Sequence, residues 1–491
     1  MRAGGSSNRP AMRIAEPGTL KIDTGARVST LLDRRGFLLG AVGAAIERPN
    51  VLFLCVDDMN DWVEGFGGHP QTVTPSLKRL AGRGVRFTRA YCQGPMCNPS
   101  RASLMTGLRP TTTGVYTNDD VWRDGARGVL TLPEYFMGHG WRATCFGKVY
   151  HSKQTDRSSW NAYWEHPERL GPAGRVSGKA AKKEKIVWGD IAGREEDDAD
   201  PQTASKTIEF LKGRPKEPFF LGCGFMETHI PWYAPKKYRD WFPPASIQLP
   251  PYLKDDLNDV PKSALRPKPM ENGREIVRAG KWREAVAAYL ACIHYVDAQI
   301  GRVLDALESS PSAKNTVVVF WSDHGWQLGE KDHWQKFTLW ERSCRVPLII
   351  SVPGARGAEC RRTVELLDIY PTLAELCGLP PRAELEGRSL APLLDNPGAA
   401  WDKPAQTYFA AGQMTLRTER WRYTRYPDGE ELYDHDQDPN EWTNLAGQPE
   451  YAALKRELAA HFPKNPSTRK LKQFSDLTPE EKRAFNGRPR G

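Results

Sequence analysis

Acidic, basic and histidine side chains follow four apolar segments of the chain. Any one of them has an ordinary explanation, because an Asp after a strand usually forms a turn or caps a helix. Their recurrence after four segments favours a shared site. The side chains are Asp57 and Asp58 after residues 50–56, Lys148 and His151 after residues 143–146, His229 after residues 219–225, and Asp323 and His324 after residues 316–321.

The carboxylates in this set indicate a metal site. Asp57, Asp58 and Asp323 offer hard oxygen ligands, which suit Ca²⁺ or Mg²⁺ better than Zn²⁺. The lysine and histidine side chains are positive or protonatable, which suits an anionic group beside the metal.

Cys97 begins a further feature, the segment Cys97-Asn-Pro-Ser-Arg101. The pattern predicts a helix over Ser100–Thr106 that ends at Gly107. A side chain at a helix N-terminus lies where negative charge is stabilised, so the simplest interpretation is a thiolate nucleophile. The three fixed residues of C-x-P-x-R alone are a weak signal.

The four apolar segments are continuous rather than alternating, which is typical of strands buried on both faces of a mostly parallel sheet. A similar run covers residues 346–352, and helices are predicted from Thr74-Pro75 and over residues 282–307. Strands that alternate with helices predict an α/β fold with helices on both faces. Ligands of such sheets bind at the carboxyl ends of the strands, so we expect the four sets of side chains at one edge.

The sequence changes character past residue 400. Residues 421–434 predict an antiparallel hairpin with a turn at Pro427-Asp428-Gly429, and residues 450–461 predict a helix. The predicted divisions of the mature chain are a catalytic domain over 47–400, a small α+β subdomain with an antiparallel sheet over 401–463, and a basic, flexible tail over 464–491.

The composition is that of an ordinary globular chain, with 39% hydrophobic and 26% charged residues over 491 positions. It excludes collagen-like, low-complexity and multi-span membrane proteins. The net charge of +9 comes from residues 1–48 and 464–491, which leaves the body between them neutral. We therefore expect no nucleic-acid partner. Nine cysteines are too few for a disulfide scaffold.

Residues 1–46 predict an export signal. Arg34-Arg35 precedes the apolar stretch Phe37–Ile46, which contains the small residues Gly43-Ala44-Ala45. This layout is typical of a twin-Arg signal, and the stretch is too short to span a bilayer as a helix. The alternative is a misassigned start codon followed by an unremarkable helix. We expect an exported protein, periplasmic or secreted, that is not an integral membrane protein.

The segment Cys97–Gly107 closely resembles the signature of type I sulfatases, C-x-P-x-R followed by a small-residue helix and T-G. The resemblance covers most of residues 49–446. Within the family, Gly147-Lys-Val-Tyr-His151 and the S-D-H-G-W-x-L-G-E pattern of Ser322–Glu330 look most like iduronate-2-sulfatases. The other segments that carry the resemblance are Pro49–Phe53, Val56–Asn60, His229–Trp232, Asp368–Leu373, Glu431–Asp434 and Asp438–Leu445.

The resemblance implies an alkaline-phosphatase-like fold and a modified nucleophile. In these enzymes a formylglycine-generating enzyme oxidises the signature cysteine, here Cys97, to formylglycine. The hydrated aldehyde, assisted by Arg101, then attacks sulfur in line to form a covalent sulfo-enzyme intermediate.

The resemblance also assigns the neighbouring residues. Lys148 and Lys336 neutralise the sulfuryl oxygens, His229 is the candidate acid for the leaving alcohol, and His151 deprotonates the second hydroxyl that expels sulfate. Only the resemblance singles out Lys336. The implied ligands of the divalent cation, Ca²⁺ ahead of Mg²⁺, are Asp57, Asp58, Cys97, Asp323 and His324.

Two positions depart from the family pattern. His324 stands where many sulfatases have Asn, although iduronate-type enzymes use His. Glu227-Thr228 precedes His229 where iduronate-type enzymes often have Lys-Pro. We predict that Glu227 contacts substrate, and the open alternative is a surface carboxylate paired with Lys236 or Lys237.

Three functions remain in competition. The first is a sulfatase acting on sulfated carbohydrates. The second is a phosphate or phosphonate monoester hydrolase of the same superfamily, although a dedicated phosphatase would more naturally have Ser or Thr at position 97 and a His-rich pair of zinc sites. The third is a non-catalytic protein that binds sulfated glycans, which the loss of Cys97 or of a metal-site Asp would favour.

Overall fold

The computed structural model describes residues 48–175 and 186–487, so the predicted export signal over 1–46 lies outside the described residues. Strands and helices are numbered along the chain. The strands are β1 Asn50–Val56, β2 Val85–Tyr91, β3 Arg142–Gly147, β4 Ala162–Trp164, β5 Leu170–Gly171, β6 Gly174–Arg175, β7 Trp188–Gly189, β8 Phe219–Phe225, β9 Trp232–Tyr233, β10 Thr316–Ser322, β11 Gln327–Leu328, β12 Trp334–Gln335, β13 Arg345–Ser351, β14 Ala358–Glu365, β15 Ala405–Ala410, β16 Gln413–Arg417, β17 Trp421–Tyr426 and β18 Gly429–Asp434.

The helices flank the sheet in the sequence and in space. They are α1 Pro75–Ala81, α2 Cys97–Thr106, α3 Pro110–Thr113, α4 Trp122–Gly125, α5 Leu132–Gly138, α6 Ala199–Lys212, α7 Lys236–Arg239, α8 Pro267–Arg278, α9 Trp282–Glu308, α10 Glu341–Cys344, α11 Ile369–Leu376, α12 Ala391–Asp395, α13 Ala452–Ala459 and α14 Pro479–Phe485.

Eight strands form the large sheet in the order β14-β2-β13-β10-β1-β8-β3-β4. All neighbours in it are parallel except β13, which runs antiparallel to β10 and β2. The mostly parallel sheet is therefore confirmed. Strands β2 and β14 were not predicted, because their sequences VRFTRAY and AECRRTVE interrupt the apolar run with charged residues.

Strand β1 shows why the central strands read as continuous apolar runs. Successive side chains of a strand point to opposite faces, and both faces of this sheet are covered. One core cluster receives Leu52, Leu54 and Val56, and the other receives Val51, Phe53 and Cys55. Helix α9, predicted over 282–307, packs in the first of these clusters.

The predicted hairpin is present as β17 and β18, and two further strands complete an antiparallel sheet in the order β15-β16-β17-β18. The following helix, α13, is shorter than predicted and covers Ala452–Ala459. These elements share their own apolar cluster, which includes Leu416, Leu432 and Leu458.

The expectation of a flexible tail is wrong for residues 467–476. Leu471 and Phe474 are buried, and Leu471 belongs to one core cluster of the large sheet. The amide of Phe474 donates to the carbonyl of Asp119, and the amide of Val121 donates to the carbonyl of Lys472. The two apolar side chains hold this segment against the large domain despite its basic composition.

Within the ranges 48–175 and 186–487, no helix has the length and apolar character needed to cross a bilayer. All nine cysteines fall in these ranges and are buried free thiols, which agrees with the absence of a disulfide scaffold.

Candidate active site

The four predicted sets of side chains meet because their strands are adjacent in the sheet order β10-β1-β8-β3. These strands are mutually parallel, so their carboxyl ends lie at one edge. Neighbouring strands are about 4.8 Å apart, which places all four ends within about 15 Å. The side chains delivered are Asp323 and His324 after β10, Asp57 and Asp58 after β1, His229 after β8, and Lys148 and His151 after β3.

Helix α2 brings Cys97 to this edge. It begins at Cys97 itself, three residues earlier than predicted, because Met96 takes the extended N-cap conformation and Pro99 is tolerated in a first turn. The backbone amide of Asn98 donates a hydrogen bond to Asn118 Oδ1 at 2.9 Å. The helix ends as predicted at Gly107, which is left-handed.

The Cys97 sulfur lies among charged groups and has almost no exposure to solvent, at 1%. It is 3.4 Å from His324 Nε2, 3.9 Å from Asp58 Oδ1 and 3.1 Å from Lys336 Nζ. Burial raises the pKa of the Cys97 thiol well above its usual value, despite the nearby Lys336. An unmodified Cys97 is therefore a protonated thiol, and the simple interpretation as a thiolate nucleophile loses its support.

Arg101 lies one turn after Cys97 in α2, and its guanidinium contacts residues at the ends of three strands. Its Nε donates to Asp323 Oδ2 at 2.8 Å, its Nη2 donates to Asp57 Oδ1 at 2.9 Å, and its Nη1 donates to the carbonyls of Lys148 and Val149. The guanidinium is fully buried. Arg101 therefore fixes the carboxylates that we predicted as metal ligands.

The three carboxylates are matched by three cations. Lys148 pairs with Asp57, and Lys336 Nζ lies 2.6 Å from Asp58 Oδ1, while Arg101 bridges to the third carboxylate. Burial alone would raise the pKa of Asp57, but the charges of Lys148 and Arg101 hold it well below its usual value. The site is therefore a balanced cluster of buried ions.

Two overlapping groups of side chains have the spacing of a metal site, and they share Asp58. The first group adds Cys97, Asp323 and His324 to it, and the second adds Asp57 and His229. Together the groups contain all five predicted ligands. A third group, made of Glu341, His435 and Glu441, lies elsewhere, and its two carboxylates pair with the buried Arg422 and with Arg417.

His229 lies at the solvent side of the cluster, and His151 is partly buried beside it. His229 is 29% exposed in its side chain, and its Nε2 is 3.8 Å from Asp58 Oδ2. Its Nδ1 lies 2.6 Å from the carbonyl oxygen of Ile230, so Nδ1 carries the proton and Nε2 faces the site. Burial, reinforced by Lys148, holds the pKa of His151 well below its usual value, so this imidazole is neutral.

Glu227 does not lie where we expected it. It is 1% exposed, and its carboxylate pairs with Arg169 in the interior. The alternative of a surface pair is wrong, because Lys236 pairs with Asp240 and Lys237 with Glu195. The second carboxylate oxygen, Oε2, is buried as well, so the geometry gives no support to a direct contact with substrate.

Sequence reasoning missed several residues that hold the site together. The hydroxyl of Thr228 donates to the carbonyl of Asp58 at 2.9 Å, and that of Ser100 donates to the carbonyl of Asp323 at 2.5 Å. Ser100 stands inside the segment that begins at Cys97, which is a signal that could have found it. Arg169 stands in none of the motifs and carries no such signal.

The comparisons with known proteins agree with this site. The sulfatase family model matches residues 49–379, and a model of the C-terminal region of N-sulphoglucosamine sulphohydrolase matches residues 329–467. A sulfatase of Formosa agariphila is 37% identical over 86% of this chain and 88% of its own length. Human iduronate 2-sulfatase is 31% identical over 68% of this chain and 70% of its own length.

The fold also has solved counterparts. A phosphonate monoester hydrolase of Agrobacterium radiobacter superposes with a TM-score of 0.66 at 23% identity, over 84% of this chain and 94% of the other. At this identity the similarity establishes the alkaline-phosphatase-like fold alone. The extent of the family match and the 31% identity to iduronate 2-sulfatase establish more: the chain belongs to the sulfatase family, resembles its iduronate-2-sulfatase-like members, and is a sulfuric ester hydrolase.

Proposed function

We propose that this sulfatase hydrolyses sulfate esters of carbohydrates, using a formylglycine made from Cys97 and a divalent cation, Ca²⁺ ahead of Mg²⁺. The observation that supports the proposal is the position of Cys97 at the start of α2, within 3.9 Å of Asp58, His324 and Lys336. The name of the relative iduronate 2-sulfatase supports a sulfated sugar as the substrate.

The described residues fit a hard divalent cation. Asp58 Oδ2 is buried with no hydrogen-bond partner, and Asp323 and His324 add further ligand atoms within 4.8 Å. The cluster of three carboxylates and three cations is neutral before an ion binds, so a divalent ion leaves it with a charge of about +2, which attracts a sulfate ester. When bound, the ion polarises a sulfuryl oxygen as a Lewis acid.

Lys148 and Lys336 bind the sulfuryl group in this proposal. Their ammonium groups lie at Asp57 and Asp58, and that of Lys336 is also 3.1 Å from the Cys97 sulfur. The flexible stems of both lysines let their ammonium groups reach from these carboxylates to the sulfuryl oxygens. There they stabilise the charge that develops in the transition state.

His229 and His151 move the protons. The sulfate ester enters with its sulfur toward the buried cluster, which leaves the alcohol on the solvent side, where His229 is 29% exposed. The negative charge of the ester favours the imidazolium of His229, whose Nε2 then protonates the departing oxygen. The neutral His151 accepts the proton of the hydroxyl that expels sulfate, and its buried Nδ1 has no partner within the protein.

The proposal includes a maturation partner and a location. A formylglycine-generating enzyme supplies the aldehyde, and the protein is exported to the periplasm or secreted. The segment that suggests export lies in residues 1–46.

The second candidate function is hydrolysis of phosphate or phosphonate monoesters, which the fold shared with a phosphonate monoester hydrolase keeps open. Cys97 and the three balanced carboxylates favour the sulfatase reaction. Retention of all five candidate ligands speaks against a non-catalytic glycan-binding protein.

Mass spectrometry and kinetics together test the proposal. The tryptic peptide that contains Cys97 should be lighter by about 18 Da than the unmodified cysteine peptide. The purified protein should hydrolyse 4-nitrophenyl sulfate with a higher kcat/KM than 4-nitrophenyl phosphate or a phenylphosphonate ester. An unmodified peptide in fully active protein, or a preference for the phosphorus esters, would contradict it.

A further inference from the structure

Arg169 connects an interior ion pair to the loop that carries His229. Its side chain is 7% exposed. Nη1 donates to the carbonyl of His229 at 2.7 Å, and Nη2 donates to the carbonyl of Pro231 at 2.7 Å and to the carboxylate of Glu227. One guanidinium therefore holds the backbone on both sides of Ile230.

This backbone sets the direction of the His229 imidazole. The ring is tied through Nδ1 to the carbonyl of Ile230 at 2.6 Å, the residue between the two carbonyls that Arg169 holds. A shift of the carbonyls therefore rotates the ring and moves Nε2, which lies 3.8 Å from Asp58 Oδ2. Because proton donation requires an approach of about 3 Å, a small rotation is enough to lose it.

The other end of the loop is held by a carboxylate. Asp200, in the first turn of α6, accepts hydrogen bonds from the amides of Met226 and Glu227 at 2.7 and 2.9 Å. Glu227 in turn supplies Arg169 with a buried counter-charge. We name Arg169, Asp200 and Glu227 the loop clamp.

We propose that Arg169 is a positioning residue that aims His229 Nε2 at the oxygen of the leaving alcohol, and that Glu227 serves it as a fixed counter-charge. The inference rests on the proposed role of His229 as the proton donor. This role accounts for the carboxylate of Glu227, two residues before His229, without requiring that Glu227 contact the substrate.

The positioning role predicts that the rate loss in Arg169 variants depends on the leaving group of the substrate. A good leaving group such as 4-nitrophenolate departs without a proton, whereas a poor one such as phenolate needs the acid. General acids contribute about 10²–10⁴-fold, so a misaimed His229 should cost about 10²-fold with phenyl sulfate and less than about 3-fold with 4-nitrophenyl sulfate. A general loss of folded enzyme lowers both rates equally.

The experiment measures kcat/KM for a series of substituted phenyl sulfates with wild type, Arg169→Lys, Arg169→Gln and His229→Ala. We expect both Arg169 variants to show a steeper dependence on leaving-group pKa than wild type, as His229→Ala does. In the His229→Ala background, Arg169→Gln should cause little further loss, because the two changes remove one function. Arg123, which is paired with Glu134 and Asp156 away from the loop, provides the control Arg123→Gln, with an unchanged slope.

A second variant covers the case in which Arg169→Gln fails to fold because Glu227 is left as a buried, unpaired charge. Arg169→Met combined with Glu227→Gln removes both charges together and leaves the two carbonyls without their donor. It should retain the steeper slope.

The outcomes separate the two proposals. A steeper slope in His229→Ala with an unchanged slope in every folded Arg169 variant overturns the positioning role alone. An unchanged slope in His229→Ala overturns the proton-donor role and the positioning role with it.

Discussion

The ammonium of Lys336 lies 2.6 Å from Oδ1 of Asp58, inside the group of side chains that has the spacing of a metal site. Burial by itself would lower the pKa of Lys336, but the charge of Asp58 raises it above its usual value. The lysine is therefore a fixed cation that neutralises Asp58 before an ion arrives. Its contribution to stability should then depend on whether the ion is bound.

Replacement of Lys336 by Met should destabilise the calcium-free protein more than the calcium-loaded protein. Without an ion, the variant leaves Asp58 buried and unpaired, which costs about 3–5 kcal/mol, whereas bound calcium supplies the missing positive charge. Activity should fall by about 10²–10³-fold, because a donor to the sulfuryl oxygens is lost. Urea unfolding with calcium and with a chelator measures the difference.

Lys331 provides the matched control for this experiment. It is also buried and also pairs with an aspartate, Asp256, at 2.8 Å. Lys331→Met should destabilise the protein by the same amount in calcium and in chelator. Equal losses for Lys336→Met in the two conditions would place the ion away from Asp58.

Calcium should raise the free energy of unfolding of the wild-type protein, by about 2.7 kcal/mol at a concentration 100 times its Kd. Asp58→Asn should abolish this increase, because Asp58 belongs to both candidate ligand groups. Glu441→Gln, in the third group of possible ligands, should leave it intact. Thermal or urea unfolding at several calcium concentrations, with elemental analysis of the active enzyme, checks the prediction.

Cys97→Ala should abolish hydrolysis of 4-nitrophenyl sulfate, by about 10³-fold or more, while the far-UV circular dichroism stays that of the wild type. Cys97→Ser should be nearly as inactive, because serine lacks the second hydroxyl that expels sulfate. Turnover by Cys97→Ala near the wild-type rate would refute the assignment of the nucleophile.

Much of the site could be predicted because its residues stand directly after continuous apolar strands. A strand buried on both faces has a recognisable sequence, and parallel neighbours place their carboxyl ends together. Only the family resemblance identified Lys336. The residues on either side of it, Gln335 and Phe337, have left-handed backbone conformations, and such an irregular segment has no periodic pattern that sequence analysis could detect.

What could not be predicted depends on contacts between distant parts of the chain. Glu227 stands 58 residues from Arg169, the residue that pairs with it. The sequence therefore could not predict that Glu227 is buried, and a role at the surface or at the substrate was the reasonable expectation. The segment 467–476 looked flexible because it is basic, and two apolar residues within it decide otherwise. Tertiary contacts here override local composition.

Stability should fall in mild acid, and His333 should account for part of the loss. It is fully buried, neither ring nitrogen has a hydrogen-bond partner, and burial lowers its pKa to about 3. A histidine with a lowered folded-state pKa stabilises the protein above its unfolded pKa near 6.5, and this contribution is lost as the pH falls from there toward 3.

The measurement is the free energy of unfolding at pH 7 and pH 5. Over this interval His333 should contribute a loss of about 2 kcal/mol, so His333→Leu should lose that much less than wild type. The control His461→Gln, at an exposed histidine, should lose as much free energy of unfolding between pH 7 and pH 5 as the wild type does. Equal losses in wild type and His333→Leu would show that another group is responsible.

Removal of the C-terminal segment after residue 466 should destabilise the protein and weaken its catalysis. Leu471 and Phe474 are each 7% exposed, and burial of such side chains contributes about 1.5–3 kcal/mol each, so we expect a loss of about 3–6 kcal/mol. The segment also reaches the nucleophile indirectly, because it bonds to Asp119 and Val121, and the same loop supplies Asn118 to the first turn of α2.

A shorter truncation after residue 487 keeps every contact of the segment within the described part of the chain and is the control, for which we expect unchanged stability and activity. The double variant Leu471→Ala, Phe474→Ala separates packing from chain length, because it keeps the chain and removes only the two buried side chains. We expect it to reproduce most of the stability loss of the long truncation in urea unfolding. A double variant as stable as wild type would mean that backbone hydrogen bonds, such as the one between Phe474 and Asp119, hold the segment in place without its apolar side chains.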